Sequence, residues 1–118
     1  MSSKEKNKNG LWISQLKRGF KGDVANDEQT LQKYSRDASI FEVRPRIVVF
    51  PRDYKDVQHL VNFVKNEKGF SLTGRAAGTD MTGGPLTQSI VVSFTKYLNH
   101  IKRLDKKHAV VEPGLYYR

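Results

Sequence analysis

The fold is indicated most clearly by one glycine-rich stretch, Leu72-Thr73-Gly74-Arg75-Ala76-Ala77-Gly78-Thr79-Asp80-Met81-Thr82-Gly83-Gly84. It holds four of the nine glycines of the chain, one arginine and three threonines. Glycine tolerates positive φ and lets successive backbone N–H groups converge on one anion. The spacing matches neither G-x-G-x-x-G nor the Walker A motif. The residues alone leave two interpretations open: a loop that binds phosphate, or a turn that needs glycine for its shape.

A strand and a helix precede this stretch. Ile47-Val48-Val49-Phe50 is an apolar run that ends at Pro51, which predicts a strand buried on both faces. Asp53 can cap a following helix that ends near Gly69. The spacing predicts that one apolar stripe of this helix packs on the sheet. The stripe consists of Tyr54, Val57, Leu60, Val61 and Val64.

Phe70-Ser71-Leu72-Thr73 predicts a second strand, which completes a right-handed β-α-β unit with two parallel strands. Ligands of open α/β sheets bind beyond the carboxyl ends of the strands. The glycine-rich stretch follows such an end, so a ligand is expected there.

The flanking segments complete the predicted organisation. Residues 1–10 form a basic arm with nothing to bury, predicted to be disordered. Residues 11–20 predict a short helix, and Asn26 or Asp27 can cap a second one that runs to Tyr34. The stretch 35–43 is expected to be extended or irregular. Downstream, residues 90–94 predict a strand, and residues 99–112 predict a hairpin.

Composition excludes several classes of site. The 118 residues contain no cysteine, so disulfides and thiolate metal sites are excluded, and the three histidines lack metal-ligand spacing. No metal site is predicted. No apolar run approaches the ~18 residues that span a bilayer. The net charge of +9 could attract polyanions, but no nucleic-acid-binding motif accompanies it.

Ordered pieces of residues 45–114 resemble the FAD-binding domain of the p-cresol methylhydroxylase type, which the vanillyl-alcohol oxidase family shares. The pieces are residues 44–52, Asp56-Val57, the glycine-rich stretch, Ile90-Val91-Val92 and Val111-Glu112-Pro113-Gly114. Upstream, residues 34–41 are similar to the segment that leads into this domain in D-lactate dehydrogenases and the flavin subunit of glycolate oxidase. The resemblance covers about two-thirds of the chain.

The resemblance implies an α+β (α/β) fold of this type: the first β-α-β subdomain plus short strands, truncated. Three segments are expected: the arm (1–10), a helical lead-in (11–42) and the incomplete N-terminal part of the FAD-binding domain (43–118).

The resemblance also implies which residues bind the cofactor, FAD. They are Arg75, Ala76, Ala77, Gly78, Thr79, Asp80, Thr82, Gly83 and Gly84, with Pro113 and Gly114 lining it from a later turn. Thr79 stands where some members carry a histidine bonded to the flavin, so FAD is expected to be noncovalent. Asp80 stands where glycine is frequent, and its carboxylate would repel a diphosphate unless it is turned away or bonded to backbone N–H groups. For Arg75, a donor to the diphosphate and a support of the loop are equally open interpretations.

The implied function is that of the N-terminal portion of an FAD-dependent oxidoreductase that oxidises a lactate-like or glycolate-like D-2-hydroxy acid. Hydride transfer goes to the flavin, and an electron acceptor takes part in the full-length protein. Catalytic residues are unknown and expected after Arg118, the isolated fragment is expected to be inactive, and no nucleic-acid partner is expected. The expected location is the cytoplasm or the periphery of a membrane. The alternative is a stand-alone basic module that binds a nucleotide or nucleic acid without redox activity.

Overall fold

The computed structural model describes residues 11–116. The predicted arm, residues 1–10, lies outside the described residues. Three helices are present: α1 (residues 11–17), α2 (Glu28–Lys33) and α3 (Tyr54–Asn66). Six strands accompany them: β1 (Asp23–Ala25), β2 (Ile47–Phe50), β3 (Leu72–Arg75), β4 (Ile90–Ser93), β5 (Ile101–Leu104) and β6 (Ala109–Val111).

The predicted β-α-β unit is confirmed, with β4 inserted between its two strands. The four-stranded sheet has the order β1-β2-β4-β3, and β4 pairs in parallel with both β2 and β3. Ile90 lies opposite Ile47 on one side and Leu72 on the other. All four residues of β4 are buried, as expected for a central parallel strand.

Successive side chains of each strand lie on opposite faces of the sheet, so the core has two layers. Ile47, Val49, Ile90 and Val92 pack with Trp12, Leu16, Leu60 and Phe63 on the face covered by α1 and α3. On the other face, Val48 and Val91 pack against Leu31 and Tyr34 from the segment around α2. This opposite-face arrangement follows from the period of two in a strand.

The buried face of α3 differs from the predicted stripe. Leu60 is fully buried, but Tyr54 and Val61 are 67% and 52% exposed, so the prediction that they pack into the core is wrong. Asp56 and Phe63 are buried with Leu60 instead. A carboxylate is stable at this position because backbone N–H groups of Lys21 and Arg52 donate to Asp56, each at 3.0 Å.

Two further elements depart from the sequence prediction. The second strand begins two residues later than predicted, at Leu72, and Phe70 packs on Trp12 with their ring centroids 4.7 Å apart. The lead-in, predicted to be helical, also contains β1, which pairs antiparallel with β2. The three residues of β1, Asp23-Val24-Ala25, carry too little apolar pattern to predict a strand.

The predicted hairpin is confirmed as β5 and β6, paired antiparallel in a separate two-stranded sheet. Every residue of both strands is exposed, including Ile101, Leu104, Val110 and Val111.

Candidate functional site

The glycine-rich stretch forms a loop at the carboxyl end of β3, beside the end of β4. Residue 94 ties the two strand ends together, because the backbone N–H of Phe94 donates to the Arg75 carbonyl at 3.0 Å. A cavity of about 430 Å³ opens at this end of the sheet. It is lined by Gly74, Arg75, Ala76, Ala77, Gly78, Thr79, Asp80, Gly84 and Pro85. The position agrees with the general rule for ligands of open α/β sheets.

Four successive backbone donors in this loop are free. Within residues 11–116, no backbone or side-chain oxygen accepts a hydrogen bond from the N–H groups of residues 76–79. The loop is open to solvent here, so these N–H groups can bond to water or to a ligand. An anion that replaces the water gains several donors at once, which is how glycine-rich loops hold phosphate groups.

Gly78, like Gly83, has a positive backbone φ, which favours glycine. Its φ is +73°, and a Cβ atom would lie 2.4 Å from Nη2 of Arg75. The backbone conformation therefore favours glycine, and a side chain here would displace the end of the Arg75 side chain. The chain therefore passes close to the guanidinium of Arg75, one of the residues that line the cavity.

Asp80 is bonded to its own loop. Its Oδ1 accepts hydrogen bonds from the backbone N–H and the hydroxyl of Thr82, each at 2.6 Å. The hydroxyl and then the N–H of Thr82 lower the pKa of Asp80 from its usual value of 3.8. A Cβ atom on Gly84 would lie 2.7 Å from Asp80 Oδ2, so this glycine leaves room for the carboxylate. The carboxylate shapes the loop, which is one of the two conditions under which the sequence allows it beside a diphosphate.

The remaining predicted site residues lie on two other sides. Thr82 and Gly83 do not line the cavity; Gly83 faces the lead-in, where a Cβ atom would come within 3.1 Å of the Phe41 ring. Pro113 lines a separate cavity of about 740 Å³ between the start of α3 and the hairpin. Gly114 is buried, and its N–H donates to the Leu98 carbonyl at 2.7 Å.

Phe94 connects the turn at Pro113-Gly114 with the glycine loop. A Cβ atom on Gly114 would lie 2.1 Å from the Phe94 carbonyl oxygen, and one on Gly74 would lie 3.1 Å from the Phe94 ring. Both glycines thus permit a close approach to the same residue after β4. The turn at Pro113-Gly114 therefore packs against the residue that follows β4, and neither of its two residues lines the loop cavity.

Arg75 points toward the lead-in. Its guanidinium carbon lies 4.9 Å from the centroid of the Tyr34 ring, and Nη1 is 3.5 Å from the Tyr34 carbonyl oxygen. The side chain is half-buried between this ring and Gly78. Sequence reasoning did not name Tyr34 as part of the site.

The residues present fit the diphosphate of FAD. The loop offers the free N–H groups of residues 76–79, the Thr79 hydroxyl at the cavity wall, and an Asp80 carboxylate already occupied by Thr82.

The described part of the chain has no group of three or more His, Asp or Glu side chains placed to hold a metal. None of the helices between residues 11 and 116 combines the length and apolarity needed to cross a bilayer.

A family model described as an FAD binding domain matches residues 45–118 of this sequence. The chain belongs to this family. The match begins just before β2 and includes β3, β4, the glycine loop and the hairpin. FAD is the cofactor of the family, and the fold and family expected from the sequence are confirmed.

The curated relatives of the chain include bacterial D-2-hydroxyglutarate dehydrogenases. The chain is 34% identical over 95 residues to the one from Escherichia coli (strain K12), covering 79% of this chain and 9% of that protein. It is 33% identical over 102 residues to the one from Pantoea ananatis (strain AJ13355), covering 82% of this chain and 10% of that protein. The chain therefore spans about a tenth of the length of these relatives.

Solved structures with the same fold include flavoenzymes of the predicted type. A 4-ethylphenol oxidase from Gulosibacter chungangensis superimposes with a TM-score of 0.75 at 24% identity, over 98% of this chain and 23% of that one. A p-cresol methylhydroxylase gives 0.71 at 20% identity, again over 98% of this chain and 23% of that one. An alkyldihydroxyacetonephosphate synthase gives 0.75 at 15% identity, over 90% and 23%. At these identities the likeness is one of fold.

Proposed function

We propose that this chain holds the diphosphate of a noncovalently bound FAD in the loop of residues 74–84. The observation that carries the proposal is the row of four N–H donors at residues 76–79 that have no partner among residues 11–116, in a glycine-lined cavity at the end of β3. Membership of the FAD binding domain family supports the choice of ligand. Asp80 keeps its negative charge, but its Oδ1 already accepts two hydrogen bonds from Thr82, one of them from the backbone N–H, and these bonds hold the carboxylate against its own loop.

The residues of the loop divide into two groups in this proposal. Residues 76–79 provide backbone donors, and the Thr79 hydroxyl provides a side-chain donor. Thr79 has no imidazole with which to form a bond to the flavin, which supports noncovalent binding. Four other residues predicted to contact the cofactor lie outside the loop cavity: Thr82, Gly83, Pro113 and Gly114. In this proposal they contact the flavin ring or support the loop, and they do not bind the diphosphate.

We propose further that the whole protein is an FAD-dependent oxidoreductase that acts on a D-2-hydroxy acid. When bound, FAD supplies the redox chemistry by accepting a hydride equivalent from such a substrate. The D-2-hydroxyglutarate dehydrogenases among the relatives support this class, because the compound in their name is itself a D-2-hydroxy acid. The residues that orient the substrate and take its proton are not assigned within residues 11–116. Location in the cytoplasm or at a membrane periphery stays a prediction.

Two measurements on the full-length protein test these proposals. The purified protein is expected to retain FAD that is released into the supernatant after acid precipitation, because no covalent bond holds it. Each of a series of D-2-hydroxy acids is expected to reduce the bound flavin, which then passes its electrons to an artificial electron acceptor whose reduction is measured, with the matched L acids as controls. Flavin that stays in the acid pellet contradicts the noncovalent proposal, and equal rates with the D and L acids contradict the substrate class.

The alternative of a nucleic-acid-binding module makes a different prediction for the same protein. Binding through the net charge of +9 would give an electrophoretic shift of a nucleic-acid duplex that weakens steeply with salt. We expect unchanged mobility at moderate salt, and a salt-sensitive shift without flavin retention would support the alternative.

A further inference from the structure

One segment that precedes the matched family domain packs directly against the glycine loop. We call residues 34–41 the strap. Its backbone N–H at Ala38 donates to the Asp80 carbonyl at 3.0 Å, and its Phe41 ring covers the glycine at position 83. At its other end, Tyr34 faces Arg75. The strap therefore contacts the loop at its beginning, middle and end, although the family model starts only at residue 45.

Tyr34 is a fixed point in this arrangement. Its side chain is 7% exposed, and its hydroxyl lies 3.0 Å from the Ser93 hydroxyl, with which it shares a buried hydrogen bond. The ring meets Phe50 edge to face, with centroids 6.0 Å apart. Ser93 is the last residue of the central strand and Phe50 the last of β2. The position of the Tyr34 ring is thus set by the ends of two strands.

The Arg75 guanidinium lies between this fixed ring and the loop. It stacks on Tyr34 at 4.9 Å and leaves no room for a Cβ atom on Gly78. The planar guanidinium of arginine can fill the space between the Tyr34 ring and Gly78, whereas the compact ammonium group of a lysine cannot. The contact transmits the position of Tyr34 to the segment that carries the free N–H groups of residues 76–79.

We propose that Arg75 is a positioning residue that supports the FAD loop by packing between Tyr34 and Gly78, and that the strap is a working part of the cofactor site. This inference rests on the proposed function, but it concerns the loop before FAD binds. Its consequence is that loop order in the unliganded protein depends on Tyr34, a residue outside the family match that lines no part of the loop cavity.

The substitution Arg75→Lys distinguishes a support from a charged donor. It keeps the positive charge and loses the planar stack. If Arg75 supports the loop, we expect Arg75→Lys to weaken FAD binding about three- to tenfold, the range of a partly desolvated cation–π contact. The same variant should accelerate amide hydrogen exchange across residues 76–84 in the protein without FAD. Wild-type exchange and wild-type affinity in Arg75→Lys would overturn the proposal.

A double-mutant cycle with Tyr34 tests whether the two residues act as one unit. Tyr34→Leu and Arg75→Met are each expected to accelerate exchange in the loop, and the double variant is expected to add little to the larger single effect. Tyr34→Phe keeps the ring but loses the hydrogen bond to Ser93, so it is expected to accelerate loop exchange less than Tyr34→Leu does. Additive effects in the cycle would overturn the proposal.

Two controls separate a local effect on the loop from a general loss of stability. Exchange in β2 and β4 measured in the same samples reports on global unfolding, and Leu31→Ala weakens the same core cluster without touching the loop. A rise in loop exchange that exceeds the rise in Leu31→Ala supports the proposal, and an equal rise overturns it. Because exchange is measured without FAD, failure of the protein to bind FAD would refute the proposed function and leave this test intact.

Discussion

The carboxylate of Asp56, on the buried side of α3, accepts hydrogen bonds from the backbone N–H groups of Lys21 at 3.0 Å and of Arg52, also at 3.0 Å. Asp56 is 1% exposed. It joins the chain before β1, the turn after β2 and the first turn of α3. The lead-in is therefore attached to the sheet by a buried polar contact as well as by the pairing of β1 with β2.

Asp56→Asn should destabilise the protein strongly for such a small change. One of the two N–H donors would face an amide NH₂ group, and an unpaired buried donor costs about 1–3 kcal/mol. Asp27→Asn is the matched control, because Asp27 caps α2 at the surface and asparagine caps helices equally well. The free energy of unfolding in urea measures both. Equal values for the two variants would contradict the role of Asp56.

Two neighbouring residues of α3 provide a test of the observed core. Leu60→Ala removes a fully buried side chain and should cost about 2–5 kcal/mol. Val61→Ala alters a side chain that is 52% exposed, and it should change stability by about 0.5 kcal/mol or less. Thermal and urea unfolding of both variants measure the difference. A loss of stability in Val61→Ala as large as that in Leu60→Ala would contradict the observed burial and favour the apolar stripe predicted from the sequence.

Gly78→Ala should damage FAD binding more than stability. Alanine at this position would have to adopt a φ of +73°. Its methyl group would also displace the Arg75 guanidinium from the Tyr34 ring. Gly69→Ala is the control, because it has a φ of +88° but open space around the Cβ position. Both variants carry a backbone penalty of about 1–2 kcal/mol. We expect a loss of FAD affinity in Gly78→Ala alone, measured by titration of the unliganded protein. Equal affinities in the two variants would show that the close approach at Gly78 has no role.

The state of Asp80 should depend on Thr82. The folded-state pKa of Asp80 lies below 3.8, mainly because the Thr82 hydroxyl donates to it, with the Thr82 N–H next. A lowered pKa means that the carboxylate stabilises the loop above pH 3.8, and that this stabilisation is lost as the pH falls through the folded-state pKa. NMR titration of the Asp80 carboxyl carbon measures this pKa. Thr82→Val should raise it toward 3.8, incompletely because the N–H donor remains. An unchanged pKa in Thr82→Val would contradict the assigned bond.

The sequence predicts the parts of the fold that depend on local pattern. The apolar run at Ile47–Phe50 and the cap at Asp53 are local signals, and both are observed as expected. Asp56 and the strand β1 could not be predicted, because their partners lie 35 residues away at Lys21 and across the sheet in β2. A carboxylate in a helix normally indicates an exposed face, and here the N–H groups of Lys21 and Arg52 stabilise it in a buried position.

The candidate site shows the same division. The composition of residues 74–84 indicates an anion-binding loop, and the resemblance identifies the ligand class. The contact between Arg75 and Tyr34 joins positions 41 residues apart, so no local pattern contains it. The sequence leaves the two interpretations of Arg75 equally open, and the packed position of its side chain favours the support.

The central claim, that the loop binds the diphosphate of FAD, is tested most directly by comparing FAD with riboflavin, which lacks the diphosphate and the adenosine of FAD; adenosine added as a competitor controls for the second difference. The full-length protein, freed of flavin, is titrated with FAD and with riboflavin while flavin fluorescence is followed. We predict that FAD binds at one per chain and at least about a hundredfold more tightly than riboflavin, since several N–H donors on a diphosphate contribute about 3 kcal/mol or more. Riboflavin binding as tight as that of FAD, or no binding of either, would contradict the assignment of this loop.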